Sequence, residues 1–259
     1  MANRERPAGD VDYEQHGAGY ARVRRPDPRI AARVHAALGD ARTVVNVGAG
    51  AGSYEPADRY VLAVEPSAAM RAQRPAGAAP ALDATAEHLP FDDAAFDAAM
   101  ATVTVHQWRD VEQGLRELRR VSRGPVVLLT FDAVALQDFW LAEYLPHVFA
   151  AELTRFPSID RLVACLGEGS AHVRVDPVAV PWDCVDGFGE AFYGRPEELL
   201  RPEVRRATSG IALADADAAR RGLDRLARDL ASGAWDERHG HLRGLPERVG
   251  ALRLVVADA

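Results

Sequence analysis

The run Val44-Val45-Asn46-Val47-Gly48-Ala49-Gly50-Ala51-Gly52 decides the architecture. Its first half is β-branched and apolar and predicts a strand over 43–47. Its second half is a loop with glycine at every other position. Glycine takes positive φ angles at no steric cost and lets backbone approach a ligand closely. At the carboxyl edge of a parallel sheet such a loop cradles a ligand, and the next helix offers unpaired N–H groups to a carboxylate or phosphate. A second apolar run, 60–64, stops at Glu65, seventeen residues past Gly48. A carboxylate there can accept hydrogen bonds from both hydroxyls of a ribose and repels a 2′-phosphate. Glycines alone also suit a tight turn. Strand, glycines, strand and terminal acid together favour a nucleoside-type ligand. A dinucleotide fingerprint needs a third glycine three positions after the second. Ser53 stands there instead, so the pattern is GxGxG, which speaks against a NAD-binding oxidoreductase.

Outward from this loop the chain alternates helix and strand. Ile30, Val34, Ala37 and Leu38 have helical spacing over 30–38, and Gly39 ends that helix. Ser67 can cap a short helix over 68–73. Strands are predicted over 78–82 and 96–103, with a helix over 111–121. The run 126–131 is apolar throughout, as a strand buried on both faces is. Short links and strict alternation argue for a parallel sheet covered by helices. Past Asp132 the rhythm changes. Residues 136–153 form an aromatic helical region, 159–166 a helix, 172–180 a strand, 183–242 a mostly helical stretch and 252–256 a last strand. The pattern is an open sheet with a long inserted cap.

The chain has 259 residues, 48% hydrophobic and 27% charged, which is globular composition and excludes wholesale disorder. The net charge is −7, and all 31 positive charges are arginine. No overall basic field exists to hold nucleic acid. Two cysteines and eight scattered histidines supply neither a disulfide framework nor a zinc site, so no metal is expected. The start, MANRERPAGD, lacks the apolar core of a signal peptide, and no run of eighteen apolar residues exists. These features predict a cytoplasmic protein with no membrane partner.

Four segments, in order, carry a resemblance: VVNVGAGAGSYEP (44–56), LAVEPSAAM (62–70), ATAEHLPFDDAAFDAAM (84–100) and GLRELRRVSRGPVVLLTFD (114–132). Together they resemble the class I S-adenosylmethionine-dependent methyltransferases, in particular the small-molecule group with an AExLPF segment. The resemblance covers roughly residues 40–135 and the last strand. It implies an α/β fold: a Rossmann-like seven-stranded, mostly parallel sheet with helices on both faces, an antiparallel last strand and a helical insertion forming a cap. One structural domain is expected: 1–35 a lid segment and helix, 36–135 the cofactor core, 136–248 the sixth strand with the cap, and 249–259 the last strand.

The implied cofactor is S-adenosyl-L-methionine, leaving as S-adenosyl-L-homocysteine. Gly48, Ala49, Gly50 and Gly52 would meet its methionyl part, and Glu65, followed by Pro66, its ribose. Met70 and Ala86 would border the adenine, with Glu87 beside it. Thr85 stands where relatives often carry Asp. Ala101 and Thr102 would line the site by backbone. Tyr20 or Arg24, in a segment that closes over the cofactor in related enzymes, would bind the methionyl carboxylate.

For the chemistry, His106 follows the fourth strand and either orients the acceptor or takes its proton, since an imidazole titrates near neutrality. Its structural alternative is a hydrogen bond to loop backbone or packing behind the site. Trp108 and Asp132 are further candidates at the mouth, each with a structural alternative: core packing for Trp108, a helix N-cap for Asp132. Trp140, Tyr144 and Phe188 represent an aromatic cap that can wall an acceptor pocket. The leading expectation is methyl transfer to oxygen, nitrogen or carbon of a small organic acceptor, with secondary metabolism as a candidate setting. The alternatives are a catalytically inactive relative that binds S-adenosylmethionine and, less well supported, a NAD-binding oxidoreductase.

Overall fold

A computed structural model of the chain describes residues 23–168 and 172–258. Its strands are β1 (Thr43–Val47), β2 (Tyr60–Val64), β3 (Ala81–Leu82), β4 (Ala98–Thr102), β5 (Val126–Phe131), β6 (Val173–Pro181) and β7 (Glu247–Ala257). They form one sheet in the order β3-β2-β1-β4-β5-β7-β6. The first five are parallel, and β7 runs antiparallel to both neighbours. Chain order reverses between β1 and β4, which is where open α/β sheets leave a crevice for ligands.

Side chains alternate across each strand, so the sheet divides two apolar clusters. Val44, Met100, Val127 and Leu129 face one side, where α1 (Pro28–Ala37) packs through Ile30 and Val34. Val45, Val47, Ala99 and Leu128 face the other, against α3 (Val111–Val121) and α6 (Ile159–Leu166). Asp27, Ser67, Asp110 and Ser158 each accept a backbone N–H at the starts of α1, α2 (Ala68–Arg71), α3 and α6. Each such cap is worth about 0.5–2 kcal/mol.

Two expectations shift. The third strand shrinks to two residues; Pro80, just before it, has no N–H to give to a ladder. The last strand begins at Glu247 rather than 252, because 247–249 pair with β6 alone, beyond the reach of β5, and their one apolar residue, Val249, is exposed. The region 136–153 breaks at Pro146 into α4 (Ala133–Leu136), a 3₁₀ turn (Trp140–Glu143) and α5 (Pro146–Arg155). The cap is completed between β6 and β7 by short turns, α7 (Pro202–Ala207), α8 (Ser209–Ala212), α9 (Ala216–Ser232) and α10 (Ala234–His239). All of it packs onto the α1 side of the sheet. Among the described residues no helix is long and apolar enough to cross a membrane.

Candidate active site

A cleft of about 860 Å³, counting its open mouth, lies at the carboxyl ends of β1, β2 and β4. The glycine loop is its floor. Gly48, Gly50 and Gly52 have φ angles of 68°, 52° and 94°. A Cβ on Gly48 would overlap the Thr104 side chain, so this loop and the turn after β4 touch backbone to side chain. The N–H groups of Gly48 and Ala49 both donate to the Val64 carbonyl, which ties the loop to the end of β2. Glu65 follows at once. Its two oxygens accept from Gly50 N and Ser67 N, each at 2.8 Å. The carboxylate is buried at the cleft wall, and burial raises its pKa above the usual 4.5 against the pull of those N–H groups and of Arg71 and Arg74. Each oxygen keeps lone-pair capacity for a hydroxyl.

Met70, Ala86 and Trp108 close one end of the cleft. Trp108 lies against Gly114 of α3, where any Cβ would strike its ring. Among the described residues its buried Nε1 has no hydrogen-bond partner, and both amide atoms of Gln107 are in the same state. Leaving such groups unpaired costs about 1–3 kcal/mol each, so a polar ligand in the cleft relieves them. Val103, at φ 52°, turns the chain out of β4 and is held there by its N–H bond to Leu129 O at 2.7 Å. A non-glycine residue in this region costs roughly 1–3 kcal/mol, a strain typical of functional sites.

A second chamber of about 660 Å³ opens under the cap. Phe131, Phe139, Phe149, Phe156 and Phe188 give it aromatic walls. His106 faces this chamber, while its neighbour Gln107 on the same 3₁₀ turn (Val105–Gln107) faces the cleft. The His106 ring lies on Phe156 at 4.2 Å between centroids and 30° between planes. Burial, then the charges of Arg155 and Arg24, push its pKa well below 6.5, so the ring is neutral. Val103 and Arg24 border both spaces, so cleft and chamber meet there.

Arg24 is fixed at that throat by Asp186, with Nε–Oδ1 at 2.6 Å and Nη2–Oδ2 at 3.3 Å. Tyr54, from the end of the glycine loop, donates its hydroxyl to Asp186 at 2.7 Å. Nearby, Val185 N donates to Asp27, Gly187 N to Val23 O, and Arg29 bridges Asp27 and Asp183. The segment before α1 is thus stitched to residues 183–188 above the throat.

The structure brings together most of the sequence-read cofactor residues: Arg24, Gly48, Ala49, Gly50, Glu65 and Pro66 line the cleft, as do Met70, Ala86 and Thr102. Four do not. Gly52 backs onto the Glu55–Arg74 ion pair. Thr85 is half-buried outside the lining, its carbonyl taken by His88 N. Glu87 is spent on Arg109 N and Asp110 N at the start of α3, where it fixes the turn that carries Trp108. Ala101 points into the core on the far face of β4. Tyr20 lies outside the described residues. Of the acceptor candidates, His106 and Phe188 line the chamber and Trp108 lines the cleft. Asp132 caps α4 and pairs with Arg253. Trp140 donates to Tyr193 O, and Tyr144 to Asp229; both are structural in the cap. Tyr54, Thr104 and Gln107 escaped the sequence reading. Tyr54 lies within the VVNVGAGAGSYEP segment and Gln107 adjoins His106, so proximity to a recognised motif was the only available signal.

A Rossmann-like sheet with a glycine cradle, a buried acid and unpaired polar atoms at its switch point defines a protein that holds a nucleoside cofactor. Comparison with known proteins specifies which. A family model described as a methyltransferase domain matches residues 45–128. A putative methyltransferase from an antibiotic biosynthesis pathway of Anabaena variabilis ATCC 29413 is 32% identical, over 91% of this chain and 98% of that one, with a TM-score of 0.84. A geranyl diphosphate C-methyltransferase of Streptomyces coelicolor A3(2), in complex with Mg2+, geranyl diphosphate and S-adenosyl-L-homocysteine, shares the fold at 14% identity, over 100% of this chain and 91% of that one, with a TM-score of 0.51. The uncharacterized Escherichia coli K12 protein YafE is 37% identical over 60 residues, 22% of this chain and 29% of its own length. The match thus spans less than a third of that curated relative. The chain belongs to the class I S-adenosylmethionine-dependent methyltransferases, and S-adenosylmethionine is the cofactor the family binds.

Proposed function

We propose that the protein methylates a small organic acceptor held in the phenylalanine-lined chamber while S-adenosylmethionine occupies the cleft. The observation that carries this reading is the shared border: Val103 and Arg24 line both spaces, so one ligand can meet another there. When bound, the cofactor supplies an electrophilic methyl group on a sulfonium. Gly48, Ala49 and Gly50 hold its methionyl backbone, Glu65 its ribose hydroxyls, and Met70 and Ala86 its adenine. Gln107 and Trp108 offer their unpaired groups to the same ligand. Positioning does most of the work in an in-line displacement and is worth about 7–11 kcal/mol at best. The chain's part is to hold the acceptor at the throat, with His106 orienting it, and to keep water out. The net charge of −7 fits a small acceptor better than nucleic acid, and a cytoplasmic enzyme. The Anabaena relative's described pathway supports an acceptor from secondary metabolism.

Calorimetry tests the cofactor half. S-adenosylhomocysteine binds and NAD does not. Glu65→Gln puts an amide NH2 where one oxygen accepts a backbone N–H, and weakens binding at least about tenfold, or about 1.4 kcal/mol. Because the Glu65 pKa is raised, affinity falls in acid with a midpoint above 4.5. Transfer of labelled methyl from the cofactor to any acceptor that Phe188→Ala no longer accommodates tests the other half. Unchanged binding by the Glu65 variant overturns the assignment of the cleft.

A further inference from the structure

We propose that the chamber is built for a neutral aromatic acceptor bearing a hydroxyl, and that His106 reads that hydroxyl and presents its oxygen to the throat. This rests on the methyltransferase reading above and narrows it to a substrate class and a methylated atom.

The first observation is an arc of rings. His106 lies on Phe156; Phe156 meets Phe131 edge-on at 5.9 Å and 86°; Phe131 meets Phe188 at 5.4 Å; and the Arg24 guanidinium stands 5.8 Å from the Phe188 centroid. The arc thus runs from the histidine round to the throat. Ring edges and faces turned toward one space favour a planar aromatic guest, which gains about 0.5–1.5 kcal/mol per well-placed ring beyond burial.

The second observation is the state of the charges. Those bordering the chamber are engaged: Arg24 with Asp186, Glu152 with Arg155, and Glu190 with Arg248, at 2.6, 2.9 and 2.9 Å. A carboxylate or phosphate on the guest would have to break one of these buried pairs, whereas a neutral guest leaves them intact.

The third is His106 itself. Its Nδ1 is buried with no hydrogen-bond partner among the described residues, and the ring lines a chamber whose charged groups are already paired. Phe156, after α5, lies against the ring, the charges of Arg155 from α5 and Arg24 from the segment before α1 act on it, and Glu152 of α5 and Glu190 of the turn Gly189–Phe192 line the same chamber. Burial first, and then the charges of Arg155 and Arg24, keep the ring neutral, and a neutral imidazole nitrogen accepts a hydrogen bond from a hydroxyl. In the transfer, the hydroxyl oxygen forms the bond to the methyl carbon, the carbon–sulfur pair stays on sulfur, and the hydroxyl proton passes to the ring nitrogen. An oxygen gaining a third bond becomes a strong acid, so even a weakly basic imidazole accepts that proton.

The test uses the full chain saturated with S-adenosylhomocysteine, titrated with naphthalene, a naphthol and a naphthoate. The naphthol binds at least about tenfold more tightly than either of the others. His106→Phe keeps the ring and removes the nitrogen; it erases the preference for naphthol over naphthalene and leaves naphthalene within about twofold. With S-adenosylmethionine, mass spectrometry finds the naphthyl methyl ether. Naphthoate binding as tightly as naphthol, no preference of naphthol over naphthalene, or no binding of any probe overturns the proposal without recourse to the variant. Failure to bind S-adenosylhomocysteine at all overturns the underlying methyltransferase reading instead.

Discussion

At Gly48 two demands coincide: a φ of 68° and no room for a Cβ beside Thr104. Gly39 shares the first demand, at φ 57°, but nothing lies near its absent side chain. Comparing the two separates strain from collision. Gly39→Ala costs about 1–2 kcal/mol by denaturant unfolding. Gly48→Ala costs more and abolishes S-adenosylhomocysteine binding, because the loop must move. His106 gives a second prediction at this scale. Its folded pKa lies below the ordinary 6.5, so between 6.5 and that value the unfolded chain holds a proton that the folded one does not. Stability therefore falls as pH drops through this window, by up to about 1.4 kcal/mol per pH unit for one proton. Thermal or urea unfolding from neutral pH downward shows this slope, and His106→Phe flattens it. Glycine and histidine were legible because their chemistry is special. Tyr54 and Val103 were not: each takes a positive φ without being glycine, and only packing imposes that.

The helix and strand boundaries of the core were readable, since buried parallel strands and capped helices leave strong periodic marks. The cap was not readable in the same detail. Its aromatic residues all carry the same apolar signal, yet Phe139 and Phe149 reach the chamber while Trp140 and Tyr144 satisfy polar groups of the cap. Which of them turned inward depended on the break at Pro146 and on turns distant in sequence. The seam between the segment before α1 and residues 183–188 is another such product. It joins parts of the chain about 160 residues apart, as the Arg24–Asp186 pair does at a separation of 162. Both partners are nearly buried, so removing one leaves the other's charge buried without this counter-ion. Asp186→Ala should destabilise the protein by about 3–5 kcal/mol. Tyr54→Phe removes one hydrogen bond to the same carboxylate and should cost about 1.5–3 kcal/mol. Equilibrium unfolding of both variants checks the order. A smaller loss for Asp186→Ala than for Tyr54→Phe would mean that the pair does not organise the seam.

On the scale of the whole molecule, the sheet supplies the cleft and the cap walls the phenylalanine-lined chamber, with the seam as their bridge. The place of the cleft was legible in the sequence, because the switch point between β1 and β4 fixes the crevice wherever this strand order occurs. The bridge has a dynamic consequence. Tyr54 and Arg24 line the cleft, and Asp186 holds both although it lies outside it. A ligand that immobilises Tyr54 and Arg24 lowers the freedom of the strap carrying Asp186, and binding energy then reaches segments that the ligand does not touch. Hydrogen exchange with and without S-adenosylhomocysteine should therefore show added protection at residues 183–188 and at the start of α1, besides the glycine loop and 102–108. In Asp186→Ala the added protection should retreat to the loop and the turn after β4. Protection confined to those two regions in the unmodified chain would mean that the cleft and the cap respond to ligands independently, and that the seam only holds the chain in place.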